Sequence, residues 1–149
     1  LRVVETQWEF FFGLLDRARQ AEGSRLQLEA LTAAMFNTFE ERRGFFRLFL
    51  SERGRLTAAF SDQIAERVGA HTRRLREQLV DLMRQGVDEG TLRGGDPGML
   101  ASAYLGMVHS CIFEALSSGA EKPNRTPAEV LALFLDGAAG VGSGHGGAA

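Results

Sequence analysis

The sequence lacks a cysteine pair, a charge excess and a long apolar run. Its only cysteine is Cys111, so no disulfide can form within the 149-residue chain. No stretch resembles a secretory signal, and we therefore expect a reducing, cytoplasmic setting. No uninterrupted apolar run reaches the roughly 18 residues of a membrane span. Lys and Arg total 17 against 19 for Asp and Glu, which argues against a surface that coats nucleic acid.

Motifs for metal binding and catalysis are also missing. The histidines His71, His109 and His145 lack the spacing of a zinc or di-iron site. Cys111 and His109 stand two positions apart on a predicted helix and point in different directions, so they cannot form a nucleophilic triad. The glycines in residues 141–149 match a phosphate-loop pattern, but no strand precedes them and no helix follows. We therefore predict a protein that is not an enzyme and uses no cofactor.

Apolar residues recur with a helical period along almost the whole chain, and no stretch alternates like a strand. The fold class that this pattern predicts is all-α. The residues following Gly137 are rich in glycine, which is typical of a flexible tail. The predicted helices cover about residues 1–21, 24–39, 45–50, 61–89, 97–116 and 127–138.

Three of these helices begin with residues that favour a helix N-terminus. A side-chain oxygen at the N-cap accepts a hydrogen bond from a free backbone N–H, and a proline at the first helical position has no N–H to satisfy. The three signals are a capping box of Ser24 with Gln27, the pair Asp96 and Pro97, and a capping box of Thr126 with Glu129 around Pro127.

Residues 63–79 have some features of a helix-turn-helix motif. In that interpretation Gly69 forms the turn, and Arg73, Arg74 and Arg76 face DNA. However, the apolar stripe continues through this segment without a change of phase, and one glycine costs a helix only about 1 kcal/mol. The pattern therefore favours one unbroken helix.

The aromatic residues are concentrated in the first half of the chain. Ten of the thirteen precede residue 61, and only Tyr104, Phe113 and Phe134 follow it. An aromatic-rich first half can enclose an apolar cavity, whereas small residues in the last two helices permit the close approach that pairing between subunits needs. The alternative is a single monomeric core that contains both sets.

Two segments resemble the C-terminal regulatory domain of TetR-family transcriptional repressors. They are residues 79–105, LVDLMRQGVDEGTLRGGDPGMLASAYL, and residues 131–140, LALFLDGAAG. The resemblance implies a multi-helix orthogonal bundle whose early helices surround a pocket for a small, commonly hydrophobic effector. It also implies that the last two helices form a four-helix bundle with a second copy. The family's three-helix DNA-binding head precedes this region, and its pattern is absent from the chain.

We accordingly expect residues 1–140 to form a ligand-binding and dimerisation domain, followed by a flexible tail at residues 141–149. The expected partners are a second copy and a small hydrophobic effector, with DNA contacted only through the N-terminal head. We expect the pocket to be lined or bordered by Trp8, Phe12, Phe36, Phe39, Phe49, Phe60, Met83 and Tyr104, with His71 as a polar contact. We expect the dimer interface to contain Ala103, Gly106, Met107, Ser110, Phe113, Leu131, Phe134 and Leu135.

The implied function is repression that is relieved when the effector binds. Effector binding favours a dimer geometry in which the two heads no longer match successive turns of DNA, a coupling worth about 1 to 3 kcal/mol. One alternative is a stand-alone helical carrier of a small apolar molecule. The other is a direct DNA binder that uses the arginines of residues 63–79.

Overall fold

The computed structural model describes residues 2–44 and 62–137, and these ranges contain helices and no strands. The predicted all-α class is thereby confirmed. The predicted short helix at 45–50 and the glycine-rich tail at 141–149 lie outside the described residues. The helices are α1 (Arg2–Arg19), α2 (Ser24–Glu41), α3 (Asp62–Asp88), α4 (Pro97–Ser118) and α5 (Pro127–Asp136).

Helix α2 is the centre of the fold. It packs against α1, α3, α4 and α5, while α3 packs along α4 and α4 contacts α5. Apolar side chains on several sides of α2 are buried, including Leu28, Leu31 and Phe39. Because burial of apolar surface is the main term that stabilises helices in a folded protein, this central position makes α2 the helix that holds the others together, while Arg25 and Glu29 remain exposed on its outer side.

Helix α3 runs without interruption from Asp62 to Asp88, and Gly69 lies inside it. The single helix is confirmed, and the helix-turn-helix alternative is wrong. Two of the arginines assigned to DNA in that alternative contact the protein itself. Arg74 lies over the ring of Phe12, and Arg76 donates hydrogen bonds to the Ser102 Oγ and to a backbone carbonyl at the start of α4.

The turn after α3 explains the glycine spacing in residues 86–92. Gly90 adopts a φ of 78°, which favours glycine, and the Leu92 N–H donates to the Gly86 carbonyl at 3.0 Å. The Leu92 side chain then lies directly on Gly86, where a Cβ atom would stand 2.7 Å from Leu92 Cδ1. Gly86 therefore provides the space for the leucine that closes the end of α3.

We expect Gly86→Ala to lower the free energy of unfolding by about 1–3 kcal/mol, because the added methyl group forces Leu92 out of its buried position. Gly69→Ala is the matched control in the same helix. Its Cβ meets only the end of the flexible Arg73 side chain, so alanine should stabilise the fold by about 0.5–1 kcal/mol. Urea unfolding followed by circular dichroism measures both variants. Equal effects of the two substitutions would contradict this account of the turn.

Two of the predicted helix caps are confirmed. The Asp96 carboxylate accepts a hydrogen bond from the Gly98 N–H at 3.2 Å, and Pro97 is the first residue of α4. The Thr126 hydroxyl accepts one from the Glu129 N–H, also at 3.2 Å, at the start of α5. Local sequence therefore determines where both C-terminal helices begin.

The predicted capping box at α2 is wrong. Gly23 occupies the N-cap and has no side chain to accept a bond, while Ser24 is already helical. The Glu89 carboxylate, which follows α3, accepts the Ser24 N–H at 2.7 Å instead. Gln27 donates to the Ala21 carbonyl rather than reaching back to a cap. A negative group at a helix N-terminus is favourable, so a residue from a distant element serves as the cap of α2.

The cap makes stability depend on pH. The hydrogen bond from the Ser24 N–H, followed by one from Gln85, holds the pKa of Glu89 below its ordinary value. A carboxyl group whose pKa is lowered by folding stabilises the native state above its unfolded pKa, and this contribution is lost as the pH falls. We expect Glu89→Gln to lower the melting temperature at pH 7 by a few degrees and to have a smaller effect below about pH 4. Glu77→Gln, which removes a carboxylate from the exposed side of α3, is the control and should leave the melting temperature at pH 7 nearly unchanged.

Candidate functional site

An aromatic cluster joins the first half of α1 to α3. We define it as Trp8, Phe12 and His71. Trp8 and Phe12 stand one helical turn apart and are both buried, with ring centroids 6.0 Å apart. The His71 ring stacks on Trp8 at 5.3 Å and lies 6.0 Å from Phe12. Three residues of the predicted pocket set are thus brought together, including the one predicted as a polar contact.

Arginine side chains cover two of the aromatic residues of α1, Phe10 and Phe12. The Arg74 guanidinium lies 3.9 Å from the centroid of Phe12, and that of Arg42 lies 3.8 Å from the centroid of Phe10. Arg42 also donates to the Gln7 Oε1 at 2.6 Å. In such a cation–π contact the ring attracts the guanidinium to its face, and the N–H donors of the guanidinium remain able to form hydrogen bonds. The sequence analysis missed both contacts.

The remaining described members of the predicted pocket set lie in the central core. Phe36, Phe39, Met83 and Tyr104 are all buried. The Thr32 hydroxyl donates to the Leu28 carbonyl, so the Tyr104 O–H must donate to the Thr32 Oγ1 at 2.8 Å. Burial raises the pKa of Tyr104 above its ordinary value. These four side chains pack closely around α2, separate from the aromatic cluster, whereas Phe49 and Phe60 lie outside the described residues.

Open grooves that described residues line occur elsewhere on the surface. One of about 440 Å³ lies between α2 and α5 and is bordered by Leu131 and Leu135. Another of about 400 Å³ lies between α4 and α5 and is bordered by Met107 and Cys111. Neither groove includes a residue of the predicted pocket set, so the assignment of that set to a ligand stays a prediction.

The predicted interface residues divide into an exposed group and a buried group. Ala103, Gly106, Ser110 and Phe113 are exposed along one side of α4, and 58% of Phe113 is accessible to solvent. Leu131, in contrast, is buried within the chain. Met107, Phe134 and Leu135 are half-buried, and the Phe134 ring packs edge-on against Tyr104 at 5.5 Å.

The exposed side of α4 and α5 includes two residues that the sequence analysis missed. Met99 is 74% exposed and Leu133 is 51% exposed. Met99 has a helical spacing to the predicted residues of α4, which could have identified it. We call this exposed set of large apolar and small side chains the α4/α5 face, and it consists of Met99, Ala103, Gly106, Ser110, Phe113 and Leu133.

Helix α4 is long and apolar enough to cross a membrane, by length and composition alone. Less than a third of its most apolar window is buried in the chain. An apolar core or interface helix of a soluble protein has the same composition. Asp96 caps the N-terminus of α4, and the helix packs along α3.

Cys111 lies beside the α4/α5 face and is half-buried. Burial, followed by the nearby Glu114 carboxylate, raises the pKa of its thiol, although Arg125 acts in the opposite direction. A thiol with a raised pKa is a poor nucleophile, because the thiolate is the reactive form. Across residues 2–44 and 62–137, no three His, Cys, Asp or Glu side chains are grouped as a metal site requires.

A comparison with known families matches most of the chain to one family model. Residues 22–137 match the family model described as the tetracyclin repressor-like, C-terminal domain. A search of curated proteins and a search of solved structures found no match. The matched region includes α2, α3, α4 and α5, together with the α4/α5 face. The chain therefore belongs to the family of tetracyclin repressor-like C-terminal domains.

Proposed function

We propose that the chain is the effector-binding and dimerisation domain of a TetR-like transcriptional repressor in the cytoplasm. The observation that carries the proposal is that the aromatic cluster and the α4/α5 face lie on different helices of a chain that belongs to this family. The aromatic cluster lies between α1 and α3, and the α4/α5 face lies on the other pair of helices. Such a division allows one part of the domain to bind a ligand while another pairs with a second copy.

The dimer proposal rests on the composition of the α4/α5 face. A monomer rarely leaves a contiguous apolar patch open to water, and large patches mark contact surfaces. Phe113 and Met99 provide large side chains, while Ala103 and Gly106 between them allow a partner helix to approach closely. An isologous pairing of α4 and α5 produces a four-helix bundle, and a standard interface buries roughly 1,600 Å² in total.

The effector proposal rests on the aromatic cluster. The buried rings of Trp8 and Phe12, with the half-buried ring of His71 against them, form an apolar cluster of the kind that encloses a small hydrophobic molecule. A repressor responds to such a molecule when the molecule binds more tightly to the dimer geometry that does not fit DNA. DNA contact belongs to a three-helix head N-terminal to this domain.

Trp8 allows the effector role to be tested directly, because it is the only tryptophan in the chain. We would titrate the protein with a panel of small apolar compounds and follow Trp8 fluorescence. Saturable binding that is weakened at least about tenfold by Trp8→Ala, measured by calorimetry, is the expected result. The control is Phe113→Ala, which removes an exposed aromatic ring from the α4/α5 face.

The same titration distinguishes the proposal from its alternative. A ligand-binding chain that is a monomer would indicate a stand-alone carrier of an apolar molecule. A chain that binds none of the compounds would contradict the effector role.

A further inference from the structure

Helix α4 carries almost no charge, although much of it lies on the surface. Of its 22 residues, only Glu114 is an Asp, Glu, Lys or Arg, and residues 97–113 contain none. Helix α3, in contrast, has charged residues along its exposed side, among them Glu77, Asp81 and Arg84. A surface helix of a monomer normally presents charged residues to water, so the exposed side of α4 is typical of a helix that packs against a further apolar surface.

The α4 residues of the α4/α5 face follow the spacing of a coiled-coil seam. Successive members are four, three, four and three positions apart, an average of about 3.5, the interval at which one side of a helix meets a partner helix at a shallow angle. These residues are Met99, Ala103, Gly106, Ser110 and Phe113.

The sizes of these side chains are symmetric about Gly106. The large side chains of Met99 and Phe113 each stand seven positions from it, and the small ones of Ala103 and Ser110 lie between. A Cβ atom at Gly106 would have no neighbour within 4 Å, so the space above the glycine is open. The seam is therefore lowest at its centre and raised at both ends.

A size pattern that is the same from both ends is what antiparallel pairing with a second copy requires. In a parallel pair of identical helices each residue meets its own copy, so any order of sizes is compatible. In an antiparallel pair about Gly106, Met99 meets Phe113 of the second copy and Ala103 meets Ser110, so the sizes have to match from opposite ends. Here they do match, whereas a different partner imposes no such symmetry.

We propose that two copies pair through antiparallel α4 helices, with the two-fold axis at Gly106. This inference rests on the proposed dimerisation and specifies which residues meet. The Met99 thioether contacts the Phe113 ring of the other copy, a favourable sulfur–aromatic pair, and the small residues between them allow close approach. Leu133 borders the same groove as Met107, the residue after Gly106, so α5 contributes its exposed leucine beside the axis.

Disulfide crosslinking tests the register. Cys111→Ser removes the only natural thiol and serves as the background. Under copper-phenanthroline oxidation Gly106→Cys should form a covalent dimer, because the axis brings the two copies of this position together. Ala103→Cys and Ser110→Cys should each stay unlinked alone, but should link to each other when they are coexpressed with tags of different length. This mixed pair retains Gly106 and tests the register independently of Gly106→Cys.

The control is Ala70→Cys in the same background, which should stay unlinked because this exposed position of α3 lies outside the seam. Non-reducing gel electrophoresis measures the crosslinks. Sedimentation velocity before oxidation establishes whether each variant is a dimer.

A double-mutant cycle tests the contact between the two large side chains. Met99 and Phe113 lie about 21 Å apart along one helix, too far to interact within a chain. Met99→Ala and Phe113→Ala should each raise the dimer dissociation constant roughly tenfold. The double variant should raise it by about the same factor rather than about 100-fold, because both substitutions remove one shared contact across the interface. A 100-fold effect would overturn this contact.

The outcomes separate the register from dimerisation itself. A dimer in which Ala103→Cys and Ser110→Cys each link to themselves is parallel, which overturns the antiparallel register and leaves dimerisation standing. A dimer that links at none of the three positions has its interface elsewhere and overturns the inference. A chain that is monomeric before oxidation contradicts both the inference and the dimer proposal, and binding of that monomer to phospholipid vesicles would assign the apolar face to a membrane instead.

Discussion

Gly106→Arg is expected to convert a dimer into a monomer. Gly106 is exposed on the α4/α5 face, and no heavy atom lies within 4 Å of the position that a Cβ would occupy. Arginine can therefore be accommodated within one chain, but in the proposed interface it places an unpaired charge between close helices. We expect the dimer dissociation constant to rise by at least about 100-fold. Sedimentation velocity over a dilution series measures it.

Ala70→Arg is the matched control for this substitution. Ala70 is exposed on α3 and is not part of the α4/α5 face. Its replacement also places an arginine on a helix surface. It should leave the dissociation constant unchanged. Normal dimerisation of Gly106→Arg would move the interface to another surface, whereas an equal loss in Ala70→Arg would indicate a general effect of charge.

Phe39→Ala is expected to have the largest effect on stability. Phe39 is fully buried on α2, within the core that also contains Met83 and Tyr104. Removing a buried phenylalanine side chain costs about 3–5 kcal/mol through lost burial and the cavity left behind. For a domain of this size, that corresponds to a melting temperature lower by roughly 10 °C. Thermal unfolding followed by circular dichroism gives the value.

Phe113→Ala provides the comparison, because it removes the same side chain from an exposed position. Both substitutions are best made in the monomeric Gly106→Arg background, where pairing does not contribute to stability. There Phe113→Ala should change the free energy of unfolding by less than about 0.5 kcal/mol. A small effect of Phe39→Ala would indicate that Phe39 borders an open cavity, as the sequence analysis predicts, rather than a closed core.

Features that depend on neighbouring residues could be predicted from the sequence. The caps at Asp96 and Thr126 use side chains within three positions of the N–H groups that they bind. The unbroken phase of the apolar stripe correctly predicts that α3 passes through Gly69. Local hydrogen bonds and helical periodicity are sufficient for such features.

Features that join distant elements could not be predicted in the same way. Glu89 caps α2 from a position 65 residues along the chain, and no local pattern at Gly23 and Ser24 indicates it. The placement of Arg42 and Arg74 over aromatic rings depends on how α2 and α3 pack around α1.

For the candidate pocket, too, the sequence predicts local features but not the contacts between distant helices. Helical faces predict that its aromatic residues are buried, which is confirmed for Trp8 and Phe39. The helical faces do not determine which buried side chains share a cluster, because α1, α2, α3 and α4 each have a buried apolar face. Only the packing of these helices separates the aromatic cluster on α1 and α3 from the central core.

Sedimentation equilibrium of the unmodified chain at micromolar concentration tests the central claim most directly. The account predicts a dimer, with twice the 16.3 kDa mass of one chain, because the exposed α4/α5 face is proposed to pair with a second copy. A single species of 16.3 kDa would contradict it. In that case the exposed Phe113 and Met99 would serve some purpose other than pairing two copies of this domain.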